Sequence, residues 1–267
     1  MQSISVLVWL ALGWPVLRWL WQQWQGNDFY SHGILVFPLA LYLFWRLRPP
    51  REEWRESSAG LVALAVTVVL YLAALRSHVE YVAAMAWIGM AAALVWTWGG
   101  SRVMRRMGFP FLFALLAVPL PFVEAASVPL SHWAGWWAGR VVRLLGVPVE
   151  VHGNMVSLPG TDLVVGAQCS GLRSIMALVT LSVLFAFLVR GPWWGRVILL
   201  LSAFPIAFVG NVARVISLII VAHRWGVEAG FHFYHTYAGY VFLGAAFVAL
   251  ILISWGVRCR ELRSDVF

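Results

Sequence analysis

Long apolar runs separated by short, arginine-bearing turns set the rhythm of this chain. The first run extends from about Ile4 to Leu20. A polar linker, Gln22 to Asp28, then leads through Tyr30-Ser31-His32-Gly33 into a second run from Ile34 to Trp45. A basic loop, Arg46 to Glu56, precedes a third run at about Gly60 to Leu75. The short turn Arg76 to Glu80 precedes a fourth at about Tyr81 to Trp98. A second basic loop, Gly99 to Gly108, leads to a fifth run at about Phe109 to Ala126, where Pro110, Pro119 and Pro121 predict a kinked or broken end. Each run reads as a helix crossing a bilayer. No basic segment precedes the first, so it reads as an uncleaved span rather than a signal peptide.

The pattern changes between Ser127 and Gln168. From Ser131 to Leu145, Trp133, Trp136, Trp137, Arg140 and Arg143 recur at helical spacing, which predicts a helix lying in the membrane interface. Val147 to Val165 alternates and carries the turn dipeptides Gly153-Asn154 and Pro159-Gly160, which predicts a small hairpin. A sixth span follows from about Gly171 to Val189. A seventh apolar region, Val197 to Ala222, is longer than the roughly 20 residues a span needs. Pro205, Gly210, Asn211 and Arg214 interrupt it, so it reads as a span to about Arg214 and a second helical piece to Ala222. The eighth span, about Tyr237 to Trp255, ends at a basic tail.

The expected fold is therefore an all-α polytopic membrane protein. It has about eight transmembrane helices, with an outer-face interfacial helix and a small hairpin between spans five and six. One domain covers 1–267, with spans one to five in 1–126, a periplasmic interfacial segment in 127–168, catalytic spans six to eight in 169–256 and a cytoplasmic tail in 257–267.

Composition agrees with the pattern. The chain is 62% hydrophobic and 11% charged, with mean hydropathy +0.82, against roughly 25% charged in a soluble domain. Its net charge of +8 could suggest nucleic acid, but the arginines sit in short loops between apolar runs and read as topology signals, so nucleic acid is not expected as a partner. Arg46, Arg48, Arg51, Arg55, Arg102, Arg105, Arg106, Arg190, Arg196, Arg258, Arg260 and Arg263 fall on one side, and all 19 basic residues are arginine. The positive-inside rule then makes both termini cytoplasmic. It also puts Cys169 and Cys259 on opposite sides, which argues against a disulfide.

With that topology, three polar clusters reach the outer face: Gly166 to Ser174, Asn211 with Arg214, and His235 with Gly239. Cys169 stands at a helix start, where the dipole favours a thiolate, and Arg173 at i+4 adds to that. Its bland reading is a small buried hydrophobe, and Ser170 and Gly171 then cap and pack the helix start. Arg214 at membrane depth is costly and points to function or pairing, unless it snorkels to headgroups. Asn211, three residues away, can orient its guanidinium. His235 stands near His232, and either fits an interfacial histidine. Gly239, one turn later, would admit a close helix. The histidines show no metal-ligand spacing, so no metal or other cofactor is expected.

The order Cys169-Ser170-Gly171-Leu172-Arg173, Asn211-Val212-Ala213-Arg214 and His235-Thr236-Tyr237-Ala238-Gly239 resembles the exosortase/archaeosortase family of membrane cysteine transpeptidases. Ser31-His32-Gly33 and the Gly153-Asn154 to Pro159-Gly160 lead-in are also similar to bacterial exosortases. The resemblance implies a bacterial inner-membrane enzyme whose site faces the periplasm. Its substrates would be secreted proteins with a C-terminal tripartite signal: a Pro-Glu-Pro motif, a transmembrane stretch and a basic tail. It implies Cys169 as nucleophile, His235 as proton carrier and Arg214 as oxyanion partner, with Arg173 secondary. Two other classes remain open. A transporter would bind an anion with Arg214, Arg173 and Glu124, although no internal symmetry of two halves is evident. A scaffold for exopolysaccharide or envelope assembly would leave Cys169 inert.

Overall fold

The computed structural model describes residues 2–152, 155–158, 161–164, 170–233, 237, 239–264 and 266. The chain is mainly helical and divides into two compact units, Met1–Leu120 with Arg263–Phe267, and Pro121–Leu262.

In the first unit, helices α1 (Gln2–Leu12) and α2 (Trp14–Gly26) together cover the first apolar run. They bend by 52° at Gly13, where Trp87 crosses so closely that a Cβ would lie 2.2 Å from its ring. The Trp9 and Trp87 rings stack at 4.5 Å, and each indole N–H donates to the other residue's carbonyl at 3.0 Å. Tyr71 donates its hydroxyl to the Leu12 carbonyl at the break. Helix α3 (Gly33–Arg46) and helix α4 (Ser58–Arg76) follow as expected.

Helix α5 (Glu80–Ala114) departs from expectation. It runs through the segment read as a basic loop, with one non-helical residue, Gly100, at φ 74° and ψ 179°. Arginine is a good helix former, and Arg102, Arg105 and Arg106 are exposed while Val103, Met107 and Pro110 are buried. The charges therefore mark one face of a helix rather than a loop. The fifth apolar segment accordingly begins earlier and ends earlier than predicted, in a 3₁₀ turn at Leu115–Ala117.

Beyond that turn, Pro119 and Pro121 supply no backbone N–H, so helical bonding cannot continue. Three side chains from the α2–α3 junction replace it. Trp24 Nε1 donates to the Ala117 carbonyl at 2.8 Å, and His32 Nε2 to that of Leu116 at 3.3 Å. The Tyr30 hydroxyl accepts from the Leu120 N–H at 2.9 Å. His32 is thereby engaged in structure, and burial pushes its pKa down, opposed by its bonds to the Leu116 and Phe29 carbonyls.

In the second unit, the short helix α6 (Pro121–Ala125) leads to α7 (Ser127–Leu144), the segment predicted as an interfacial helix. The predicted hairpin is a three-stranded antiparallel sheet, β1 (Glu150–His152), β2 (Met155–Leu158) and β3 (Thr161–Val164), in the order β1-β2-β3. The third strand carries Asp162 within Thr-Asp-Leu-Val, a weak strand signal in sequence. Helix α8 (Leu172–Leu188) and strand β4 (Val189–Arg190) precede α9 (Trp193–Trp225), a single helix of 33 residues. This corrects the two-piece reading of the seventh run. Pro205 deletes one backbone donor without ending the helix, and Asn211 and Arg214 turn sideways toward α8 instead of breaking α9.

The N-terminal part of α9 packs with α8 and with α11 (Gly239–Gly256). Beyond Arg214, Val215, Leu218, Ile219 and Ala222 form a second core with Ala134, Ala138 and Val142 of α7 and with Val149 and Val156. Helix α10 (Val227–Phe233) folds back along α9, with Gly230 against Ala222. At the other end of the bundle, β5 (Glu261–Leu262) pairs with β4, bringing the chain after α8 and the chain after α11 to one face. Cys259 is buried there, and a Cβ at Gly191 would lie 2.4 Å from its Sγ. Burial pushes its thiol pKa up, with Arg196 opposing.

Among the described residues, three helices are long and apolar enough to cross a membrane, or four with the bent α1–α2 pair. Shorter apolar helices lie at Gly33–Arg46, Leu172–Leu188 and Val241–Gly256. The protein is a multi-pass membrane protein, and the count of eight crossings rests on the sequence pattern.

Two predictions follow from this arrangement. Because Cys259 is buried, topology is best read from exposed positions in a background without the two native thiols. A cysteine at Arg260 should react with an impermeant maleimide only after permeabilisation, and one at Glu228 in intact cells; the reverse pattern would invert the topology. For the Trp24, Tyr30 and His32 bonds at the proline break, burial holds the pKa of His32 below that of the unfolded chain, which protonates near pH ~6.5. Stability should therefore fall as pH drops below that value. His32→Gln, which keeps a donor for Leu116, should flatten this dependence in thermal unfolding, and an unchanged profile would remove His32 as its source.

Candidate active site at one end of a three-helix bundle

Helix α8 begins in an unusual way. Gly171, its N-cap residue, is left-handed at φ 75°, and a Cβ there would lie 2.4 Å from Cγ of Asn211. Only glycine combines that backbone conformation with so close an approach. Ser170, fully buried, accepts the Leu172 N–H on its Oγ at 3.2 Å and so serves the first turn of α8. One turn on, Ser174 Oγ accepts from Arg214 Nη1 at 3.3 Å. Asn211 is 1% exposed and Arg214 part-buried. Two side-chain contacts, one steric and one polar, thus fix the start of α8 against the middle of α9.

Between α8, α9 and α11 lies a small cavity of about 20 Å³, room for about one water molecule. Ser174, Asn211 and Arg214 give it a polar side. Leu178, Ile206, Ala207, Phe242, Leu243 and Ala246 line the rest. Each helix contributes residues three or four apart, as one face of a helix must. A guanidinium held here, with apolar walls below it, interacts with a negative charge more strongly than it would in water.

Of the residues expected from sequence, Ser170, Gly171, Asn211 and Arg214 are brought together at this end of the bundle. Gly239 is the first residue of α11, whose next turns line the cavity. A Cβ there meets nothing within 4 Å among the described residues. Arg173 is exposed on α8, about a quarter-turn from the Ser174 face. Cys169 and His235 lie outside the described residues, each within two positions of a described neighbour at this end, Ser170 and Tyr237. Glu124 belongs to α6 and does not line the cavity. Among the described residues no group of His, Cys, Asp or Glu could hold a metal ion.

Sequence reading included Ser174 only as the end of the Gly166–Ser174 cluster and gave it no role. The available signal was a hydroxyl three positions after Gly171, on the side of α8 that Gly171 turns toward α9. Phe242, Leu243 and Ala246 carried no signal, since nothing distinguishes cavity-lining apolar residues from lipid-facing ones in an apolar run.

The Gly171–Asn211 contact makes a direct prediction. Gly171→Ala should cost about 1–3 kcal/mol from the left-handed backbone alone, and more from displacing Asn211. Asn211→Ala in the same protein should recover only the steric part. Thermal unfolding of both in detergent measures this, and a Gly171→Ala variant as stable as the parent would mean that α8 and α9 do not meet here.

Residues 24–252 match the family model described as transmembrane exosortase (Exosortase_EpsH). No curated protein and no solved structure matches the chain. The match runs from α2 to within the last helix and takes in every element that builds the bundle end. The chain belongs to the transmembrane exosortase family.

Proposed function

We propose that this protein is a membrane cysteine protease or transpeptidase that cleaves the C-terminal sorting signal of secreted proteins. It would act at the outer face of the bacterial inner membrane, through a thioester on Cys169. The observation that carries this reading is the meeting of α8 and α9 at Gly171–Asn211 and Ser174–Arg214. It brings a fixed cation to the helix start that Cys169 precedes in the chain.

The chain path supports a role for His235. Helix α9 overshoots Arg214 by eleven residues, and α10 then packs back along it, Gly230 on Ala222. His235 falls in the chain between α10 and α11, whose first turns line the cavity beside Arg214. The Cys169 thiolate would attack the scissile carbonyl carbon, and the oxygen would gain negative charge beside Arg214. The C–N bond would then break, with His235 giving its proton to the leaving amine. Water or an amine would add to the thioester carbonyl, His235 taking its proton, and the Cys169 sulfur would leave. Hydrolysis and transpeptidation differ only in that second nucleophile.

The substrate proposed from the resemblance has a Pro-Glu-Pro motif, a transmembrane stretch and a basic tail. Such a signal would lie across the bilayer with its scissile bond at the surface, the depth at which this reading puts the start of α8. Both termini would be cytoplasmic, and eight crossings would put the α8 start, Arg214 and the α11 start on the periplasmic side.

The test is Cys169→Ala in the native host, following the size of a secreted protein with a Pro-Glu-Pro tail. The unprocessed form should accumulate, while membrane levels of the variant stay near those of the parent. Normal processing would end the thioester mechanism and favour a scaffold in which Cys169 is inert.

A further inference from the structure

Helix α7 has two unlike faces. One carries Ala134, Gly135, Ala138, Gly139 and Val142, all buried, in the core it shares with α9. The other presents Trp133, Trp136 and Trp137 at 62%, 45% and 48% exposure. Small residues let α7 sit close on α9 and leave the indoles outside. The Trp136 and Trp137 rings meet edge-on at 4.9 Å, and the Arg140 guanidinium lies over the Trp136 ring at 4.2 Å. Arg143 is also exposed and donates Nη2 to the Val149 carbonyl at 3.1 Å. No acidic residue occurs anywhere in Ser127–Leu144.

The position of α7 in its unit gives this face its meaning. α7 packs on the residues of α9 from Val215 to Ala222, which follow Arg214 directly. The apolar α8–α9–α11 bundle ends at Gly171, Asn211 and Arg214, so α7 begins where that bundle stops. Hydrocarbon gives way to headgroups at such a boundary, and indoles prefer that depth. A guanidinium there pairs with phosphate by charge and by its fork of donors.

We infer that the Trp133–Trp136–Trp137 face of α7, with Arg140 and Arg143, is a docking surface for anionic phospholipid headgroups in the leaflet on the site's side. The indoles enter the interface and the two arginines hold lipid phosphates. The contact fixes the depth of the Gly171–Arg214 end of the bundle relative to the bilayer surface. It would thereby set which peptide bond of a membrane-anchored chain comes level with the site. The lipid contact itself does not depend on what reaction the site performs.

Photocrosslinking tests it without an activity assay. The full-length protein carries benzoylphenylalanine at Trp137 and is reconstituted in vesicles of equal parts phosphatidylglycerol and phosphatidylcholine. The label should capture lipid, with phosphatidylglycerol in excess. Arg140→Gln should lower that excess about fivefold, Arg140→Gln with Arg143→Gln should abolish it, and Arg140→Lys should keep it. Arg140→Lys also controls for misfolding, since it alters the same ring contact and retains the charge. Capture of protein in place of lipid would overturn the proposal, as would capture in the bulk lipid ratio, or an excess that the double variant leaves unchanged.

Discussion

The second unit depends on a steric permission at one residue. Gly171 lets the chain turn left-handed into α8 while its Cα lies against Asn211. Any side chain there would drive α8 from α9. With α8 so placed, Ser174 faces Arg214, and a guanidinium amid apolar helices has a defined partner and a polar cavity wall. The described part of the candidate site, Ser174, Asn211 and Arg214, is thus held by helix packing, and packed helices hold position better than loops do.

The first unit solves a different problem. A proline-broken helix end leaves backbone groups unbonded, which is costly away from water. Trp24, Tyr30 and His32 supply the missing partners for Ala117, Leu120 and Leu116. The Ser31-His32-Gly33 motif is therefore explained within its own unit. His32 serves a carbonyl, and Gly33 leaves room for Trp24, whose ring would lie 2.1 Å from a Cβ at that position. A histidine in an enzyme sequence invites a catalytic reading, and here bonding geometry gives it a structural one.

What the sequence disclosed followed from the kind of information involved. Apolar runs locate helices because burial in lipid is one-dimensional along the chain, yet they do not count them: the first run is two helices, α1 and α2, and the fourth and the start of the fifth share α5. Charge density proved a poor guide to loops: Arg102, Arg105 and Arg106 line one helix face, and only the backbone of Gly100 shows where the helix breaks. Polar residues were equally misleading about breaks, since Asn211 and Arg214 interrupt the hydropathy of α9 but not its hydrogen bonding. Of the expected site residues, Asn211 and Arg214 were legible because asparagine and arginine are conspicuous in apolar surroundings, and the described structure brings them to the start of α8. Ser174 was not, because a hydroxyl bonded across two helices looks in sequence like any hydroxyl bonded within one.

Helix α9 has a consequence for how the second unit comes apart. Its 33 residues span about 50 Å, well beyond the roughly 30 Å of hydrocarbon. Its first part belongs to the bundle with α8 and α11, and its last part to the core with α7 and the sheet. No turn or hinge separates the two halves. To loosen one core while the other stays intact, the chain must break hydrogen bonds in the middle of a regular helix, beside Asn211 and Arg214. The two cores are therefore tied through one continuous helix, and α9 passes from one to the other at Asn211 and Arg214.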